Sequence, residues 1–242
     1  MTVEHATKIG VDAFEHVRVG PELLDDEQLQ RLHSLPARRH DHLVSFRPWR
    51  FVNLKSPAVE RLIALLAERG AFLTPTLVLS KAILHGNTPD LTLSPSVLRM
   101  DAAIRTRWAM SAYSADYTDE DWRWAPVEFA RQLEFIGLAH QHGVRVVAGT
   151  DTPNPFIAPG FSLHEELQLL VRAGLTPMQA IGAATQRAAR LLEAQSEIGT
   201  VEKGKRADLV VVNRDPANDI TALESIDLVM KDGITTAGTF AR

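Results

Sequence analysis

The segment Val144-Arg145-Val146-Val147-Ala148-Gly149-Thr150-Asp151 is almost continuously apolar, stops at a carboxylate and runs into a loop containing Pro153, Asn154, Pro155, Pro159 and Gly160. A strand that shows no polar alternation is buried on both faces, and such strands belong to parallel sheets covered by helices. The surrounding chain agrees. A strand signal at residues 11–16 follows Gly10, which reads as the stop of a short helix. A polar helical segment runs from Asp25 to about His33, and residues 34–55, rich in Arg, His and Pro, read as an insertion or long loop. Ser56 as cap, Pro57 in the first turn and Gly70 after the last bracket a helix with Leu62, Leu65 and Leu66 at helical spacing. Residues 71–77 read as a second buried strand that Pro75 ends or bends.

A variable stretch then runs to about Pro95, a helical pattern to Tyr113, and a further helix from near Thr118 to Gly143. Beyond the third strand, one helix spans 162–173 and another, capped by Thr176 with Pro177 at its first position, runs to about Leu192. The tail changes character, with strand signals at 207–213 and 226–230 and a turn signal at Lys231-Asp232-Gly233. Strands alternating with helices, then strands alone, predict an α/β architecture with a parallel sheet and a small all-β appendage.

Composition narrows the function classes. Hydrophobic residues make up 45% of the 242, enough for a sizeable core. The formal charge of −4, without a lysine or arginine run, argues against nucleic acid or a polybasic membrane role. The absence of cysteine excludes disulfides, thiolate metal sites and a Cys nucleophile. No apolar stretch approaches the ~18 residues of a membrane span. Met1-Thr2-Val3-Glu4-His5 lacks the basic and apolar regions of a signal peptide, so a cytoplasmic location is expected.

Two residues could carry chemistry. His16 and Asp151 each close a parallel strand, the end at which (β/α) barrels place reactive groups, and imidazole and carboxylate are both ligands for zinc and similar ions. The structural alternatives are a hydrogen-bonded scaffold histidine and an aspartate that caps its loop. Other histidines resemble ligand pairs without the right setting. His140-Gln141-His142 lies in the last turn of a helix leading into a strand, away from the chemical face, and His40-Asp41-His42 has no strand before it. His5 lies too close to His16 for a strand–helix–strand passage between them. His164, at the start of a helix, is a candidate for the substrate pocket or for a helix-terminus role.

Several motifs together resemble the metal-dependent amidohydrolase superfamily, in its imidazolonepropionase-like and prolidase-like branch. They are Gly149-Thr150-Asp151, Ser162-Leu163-His164-Glu165-Glu166-Leu167, Gly174-Leu175-Thr176-Pro177, Ala183-Ala184-Thr185 and the run from Ile198 through Leu209. Gly10 through His16 resembles the family's sixth barrel strand with its metal-binding His, and Thr74-Pro75-Thr76-Leu77 fits the seventh. The resemblance implies a partial (β/α)8 TIM-type barrel, strands six to eight with their helices, over residues 1–195, with insertions at about 34–55 and 78–125. It implies the C-terminal portion of a small β-sandwich domain over 196–242.

The implied activity is hydrolysis of a carbon–nitrogen bond in a small molecule: a cyclic amide, an N-acyl amino acid or an Xaa-Pro dipeptide. One or two divalent ions, zinc foremost, would activate water in the complete enzyme. Asp151 matches the eighth-strand ligand and proton shuttle, and His16 a ligand of the second metal position. The His-x-His pair of the first strand and the ligands of the fourth and fifth are absent, and two ligands rarely make a tight site. Three origins are therefore expected to compete: a truncated gene product, one half of a split enzyme, and a non-catalytic remnant. Three strands taken from a barrel should also leave open edges and a bare apolar inner face that recruits a missing N-terminal half or a second copy.

Overall fold

Ser56 shows how locally encoded much of the chain is: its Oγ accepts the Val59 N–H, Pro57 fills the first turn, and the helix that follows buries Val59, Leu62, Ile63 and Leu66 along one stripe. The computed structural model describes residues 1–17, 20–37, 46–86, 88–110 and 116–237. The first part of the chain contains α1 (Val3–Lys8), β1 (Ala13–Glu15), α2 (Asp26–His33), α3 (Pro57–Glu68), β2 (Phe72–Thr74) and α4 (Leu77–Leu84). Two single turns, α5 (Pro89–Thr92) and α6 (Pro95–Leu98), lead to α7 (Ala102–Met110), α8 (Asp119–Gln141) and β3 (Arg145–Val146). The remainder is α9 (Phe161–Arg172), α10 (Pro177–Ala184), α11 (Gln186–Leu191), β4 (Leu209–Val212), β5 (Ile226–Lys231) and β6 (Ile234–Ala237).

The first three strands form a parallel sheet in the order β1-β2-β3, and the last three an antiparallel sheet in the order β4-β5-β6. The α/β expectation holds. In the parallel sheet Phe14, Leu73 and Val146 stand in register, and all three join or pack against the helix-covered core. Alternation puts Ala13, Phe72 and Arg145 on the opposite face, followed by Glu15 and Thr74. That face differs from the bare apolar surface expected from the sequence. Arg145 lays its guanidinium 5.1 Å from the Phe72 ring centre, leaving Phe72 only 9% exposed, and Glu15 accepts a hydrogen bond from Thr74 Oγ1 at 3.3 Å. A long cationic stem covers the ring while its charge stays wet.

Two sequence readings are corrected. The stretch after Leu77, read as variable, opens with a helix: α4 is apolar almost all round, and its buried side chains pack against α8 and α9, so it carries no amphipathic stripe to read. The helix expected from Thr176 to about Leu192 is two helices, because Thr185 (φ −127°, ψ −88°) breaks it. Within the expected insertion 34–55, the 3-10 turn Arg47–Arg50 is buried. Trp49 there donates from Nε1 to Val17 O at 3.1 Å and meets Phe135 of α8 edge-on at 5.4 Å. Arg47 and Arg50 pair with Asp121, and Arg50 also with Glu128, both buried on α8. His40 and His42 lie outside the described residues. The tail strands form as read, and the Lys231-Asp232-Gly233 turn returns the chain into β6, a strand the sequence reading did not name. Among the described residues no helix is long and apolar enough to cross a membrane.

Candidate functional site

Each strand of the parallel sheet is followed by a residue in the left-handed region. His16 (φ 66°) comes directly after β1, Thr76 (φ 48°) two residues after β2, and Asp151 (φ 55°) in the loop that leaves β3. Non-glycine residues pay of order 1–3 kcal/mol each to sit there, and such strain concentrates where a side chain must be aimed. Here the aim is shared. His16 Nε2 lies 3.6 Å from Asp151 Oδ2, and His16 Nδ1 lies 2.7 Å from Thr76 Oγ1. The side chains of His16 and Asp151 are 22% and 43% exposed, so the pair is reachable from solvent.

The Thr76 oxygen lies 2.7 Å from His16 Nδ1 and 2.8 Å from Pro75 O, and the direction of its bond with the ring follows the histidine tautomer. With the ring proton on Nδ1, Nε2 turns a lone pair toward the Asp151 carboxylate. An imidazole nitrogen and a carboxylate oxygen at that separation can take a cation between them, and nitrogen and oxygen donors are what zinc and related ions take. Gly149 keeps the β3 end close to β2, since a Cβ there would stand 2.4 Å from Thr74 Cγ2.

The structure thus brings together His16 and Asp151. His164 lies in the first turn of α9, half-buried, and its Nδ1 has no hydrogen-bond partner among the described residues. His140 and His142 sit at the end of α8 that feeds into β3, where His142 Nδ1 bonds Leu138 O, and His5 is part of α1. Among the described residues no group of three or more His, Cys, Asp or Glu side chains is placed to hold a metal ion.

Reading along the sequence does not single out Glu166. This α9 residue is wholly buried, and its Oε2 accepts the Val78 N–H at the start of α4 at 2.8 Å. Loss of hydration pushes its carboxyl up to about 8, against the opposing pull of the Val78 and Leu77 backbone N–H groups. The folded value lies above the ordinary 4.5, so the folded chain holds this proton the more tightly. The stability Glu166 contributes is complete below about pH 4.5, falls as pH rises and is lost by about pH 8. Glu166→Gln removes that dependence. Urea unfolding at about pH 5 and about pH 8 should show the variant gaining a few kcal/mol on the parent, since each pH step of one across that interval is worth about 1.4 kcal/mol. A difference that does not change with pH would contradict a neutral buried acid.

The family model described as "Amidohydrolase family" matches residues 52–235, well over half of the chain. The chain belongs to the amidohydrolase family. An imidazolonepropionase of Sphingopyxis alaskensis is 35% identical over 152 residues, covering 55% of this amidohydrolase chain and 37% of the relative. An ochratoxinase of Aspergillus niger is 37% identical over 84 residues, covering 34% of this chain and 16% of that one. Among solved structures, a bottromycin amidohydrolase superposes with a TM-score of 0.67 at 25% identity, over 98% of this chain and 48% of its own. The amidohydrolase chain therefore spans less than half the length of these relatives.

Proposed function

We propose that this chain is the part of a metal-dependent amidohydrolase that supplies His16 and Asp151 to a divalent metal centre, and that the complete enzyme hydrolyses a carbon–nitrogen bond in a small molecule. The observation that carries the reading is the approach of His16 Nε2 and Asp151 Oδ2, an imidazole nitrogen and a carboxylate oxygen from different strand ends, to 3.6 Å. The family membership and the names of the relatives, an imidazolonepropionase and an ochratoxinase among them, favour the same bond class. Candidate substrates are cyclic amides, N-acyl amino acids and Xaa-Pro dipeptides.

The donor set fits such an ion in kind, one imidazole nitrogen and one carboxylate oxygen, but falls short of the three protein ligands that catalytic zinc generally takes. The reading therefore places the remaining donors outside the described residues, on further chain or on a second polypeptide. It takes the parallel sheet and its helices as part of a (β/α)8 barrel, residues 1–195, and the antiparallel sheet as part of a small β domain, residues 196–242. A divalent ion bound there would bring the pKa of its water to near ~7 and polarise the scissile carbonyl.

The chain's own residues do the rest. Asp151 takes the proton from the attacking water at a carboxylate oxygen and passes it to the leaving nitrogen. His16 contributes Nε2, held by the bond from Nδ1 to Thr76, the kind of outer contact that orients a ligand histidine. His164, in the first turn of the helix after the Asp151 loop, is assigned to the substrate side of the site.

Calorimetric titration of the whole chain with zinc alone tests the metal reading. The expected result is one weak site per chain whose affinity falls about 10- to 100-fold in both His16→Ala and Asp151→Ala. Zinc binding that neither substitution alters would overturn it. The competing reading, a non-catalytic remnant, is favoured by the two-donor geometry, and absence of any zinc site in the parent chain would decide for it.

A further inference from the structure

Leu35, Pro36 and the turn Arg47–Arg50 face the start of α8 across a cavity of about 660 Å³, within the size range of small-molecule sites. Its lining includes none of His16, Asp151 and His164. The charges around it are of two kinds. Arg47, Arg50 and Asp121 are buried and satisfy one another: Asp121 Oδ1 accepts from both guanidinium groups, and Asp121 Oδ2 takes the Thr118 N–H and hydroxyl at 2.9 Å each. With Glu128, which accepts from Arg50 Nε, two cations meet two anions. Asp119 and Glu120, in the first turn of α8, line the same cavity, but they are exposed and join no ion pair among the described residues. Asp116 adds a third carboxylate, and the lining holds no further cation.

One group in the buried part of the lining has bonding capacity left. Arg50 directs Nε to Glu128 and Nη2 to Asp121, and its Nη1 makes no hydrogen bond among the described residues, although the side chain is only 2% exposed. Each terminal guanidinium nitrogen carries two N–H groups, and a buried charged donor without an acceptor is unfavourable. The acceptor that fits has no negative charge of its own, because an anion would enter against the carboxylates at the rim. A carbonyl oxygen meets that condition, the rim suits an ammonium, and Leu35 and Pro36 offer an aliphatic wall.

We propose that this cavity is a second binding site, for a small cationic amine with a neighbouring carbonyl and an aliphatic group, the chemistry of an amino-acid amide. The ammonium pairs with Asp119 and Glu120 at the rim, and the carbonyl oxygen accepts from Arg50 Nη1 below it. The site goes beyond the metal reading and shares no residue with it.

Calorimetric titration of the whole chain, without metal and at about pH 6.5, where an α-amine is charged, compares three probes that share an isobutyl group. L-leucinamide carries both the ammonium and the carbonyl, isoamylamine lacks the carbonyl, and N-acetyl-L-leucinamide lacks the charge. L-leucinamide should fill one site per chain with a dissociation constant on the order of 1 mM, as suits a ligand of its size. Isoamylamine and N-acetyl-L-leucinamide should each bind weaker by about fivefold or more, the worth of one hydrogen bond or of the rim ion pairs. Asp119→Asn combined with Glu120→Gln should bring L-leucinamide down to the level of its N-acetyl form and leave the N-acetyl form unchanged. Both residues are exposed, so the pair of substitutions should cost the fold little. Absence of a saturable L-leucinamide site up to about 20 mM, equal binding of either comparison probe, or the parent's affinity in the double variant overturns the proposal. The probe comparison needs only the parent chain, so it decides even where the double variant does not fold. A failed zinc titration leaves this site standing, and a failed amide titration leaves the zinc reading standing.

Discussion

Asp151→Asn is expected to lower turnover by about 10²- to 10⁴-fold in the complete hydrolase, whether its remaining ligands lie on the same polypeptide or on a second one. The same change should leave the fold within ~0.5 kcal/mol of the parent. Both halves follow from the site. The side chain of Asp151 is 43% exposed and packs into no core, so its replacement opens no cavity. Its backbone is left-handed, at φ 55°, and asparagine is the residue that tolerates this region as well as aspartate does. What asparagine cannot do is accept a proton from water or carry negative charge toward a cation. Steady-state hydrolysis of a panel of cyclic amides, N-acyl amino acids and Xaa-Pro dipeptides, beside urea unfolding, measures the two halves separately. An Asp151→Asn enzyme with turnover close to the parent's would remove the proton-shuttle role.

The largest loss of stability is expected from Arg50→Met. Arg50 sends Nη2 to Asp121 and Nε to Glu128, and the three side chains are 2%, 2% and 1% exposed. Removing the cation takes a partner from each of two buried acidic groups, and breaking a buried pair from one side costs about 3–5 kcal/mol. Methionine keeps the stem's volume, so the measured loss is electrostatic rather than a packing defect. Denaturant unfolding of parent and variant at neutral pH is the measurement. A change below about 1 kcal/mol would show that α8 and the 3-10 turn at Arg47–Arg50 are held by Trp49 and its neighbours alone.

Where the sequence was readable, the signals were local. Ser56, Thr118 and Thr176 each accept the N–H three residues on, with Pro57 and Pro177 in the first turns of two of the helices. Each of those helices begins where its cap foretells. His16 and Asp151 were legible as strand-terminal groups because a parallel strand announces its own end. Their mutual approach was not, since the register of β1, β2 and β3 sets it.

What stayed hidden depends on partners far along the chain. Thr76, with a left-handed rather than extended backbone, makes no side-chain cap, and Glu166 takes the Val78 N–H from far along the chain, so the start of α4 leaves no mark in the residues that begin it. The turn at Arg47–Arg50 has the composition of a solvated loop and is buried where Asp121, Glu128 and Phe135 meet it from α8. β3 was expected to be longer than its two residues, because a continuous apolar run does not say where strand pairing stops and the loop begins.

His16, Thr76 and Asp151 all hold a backbone shape that glycine would adopt at no steric cost. At the rim of this sheet, selection for heat resistance and selection for ligand geometry therefore pull in opposite directions. A screen that rewarded only a higher melting temperature would drift toward glycine at these three places and return a sturdier molecule stripped of the proposed ligands.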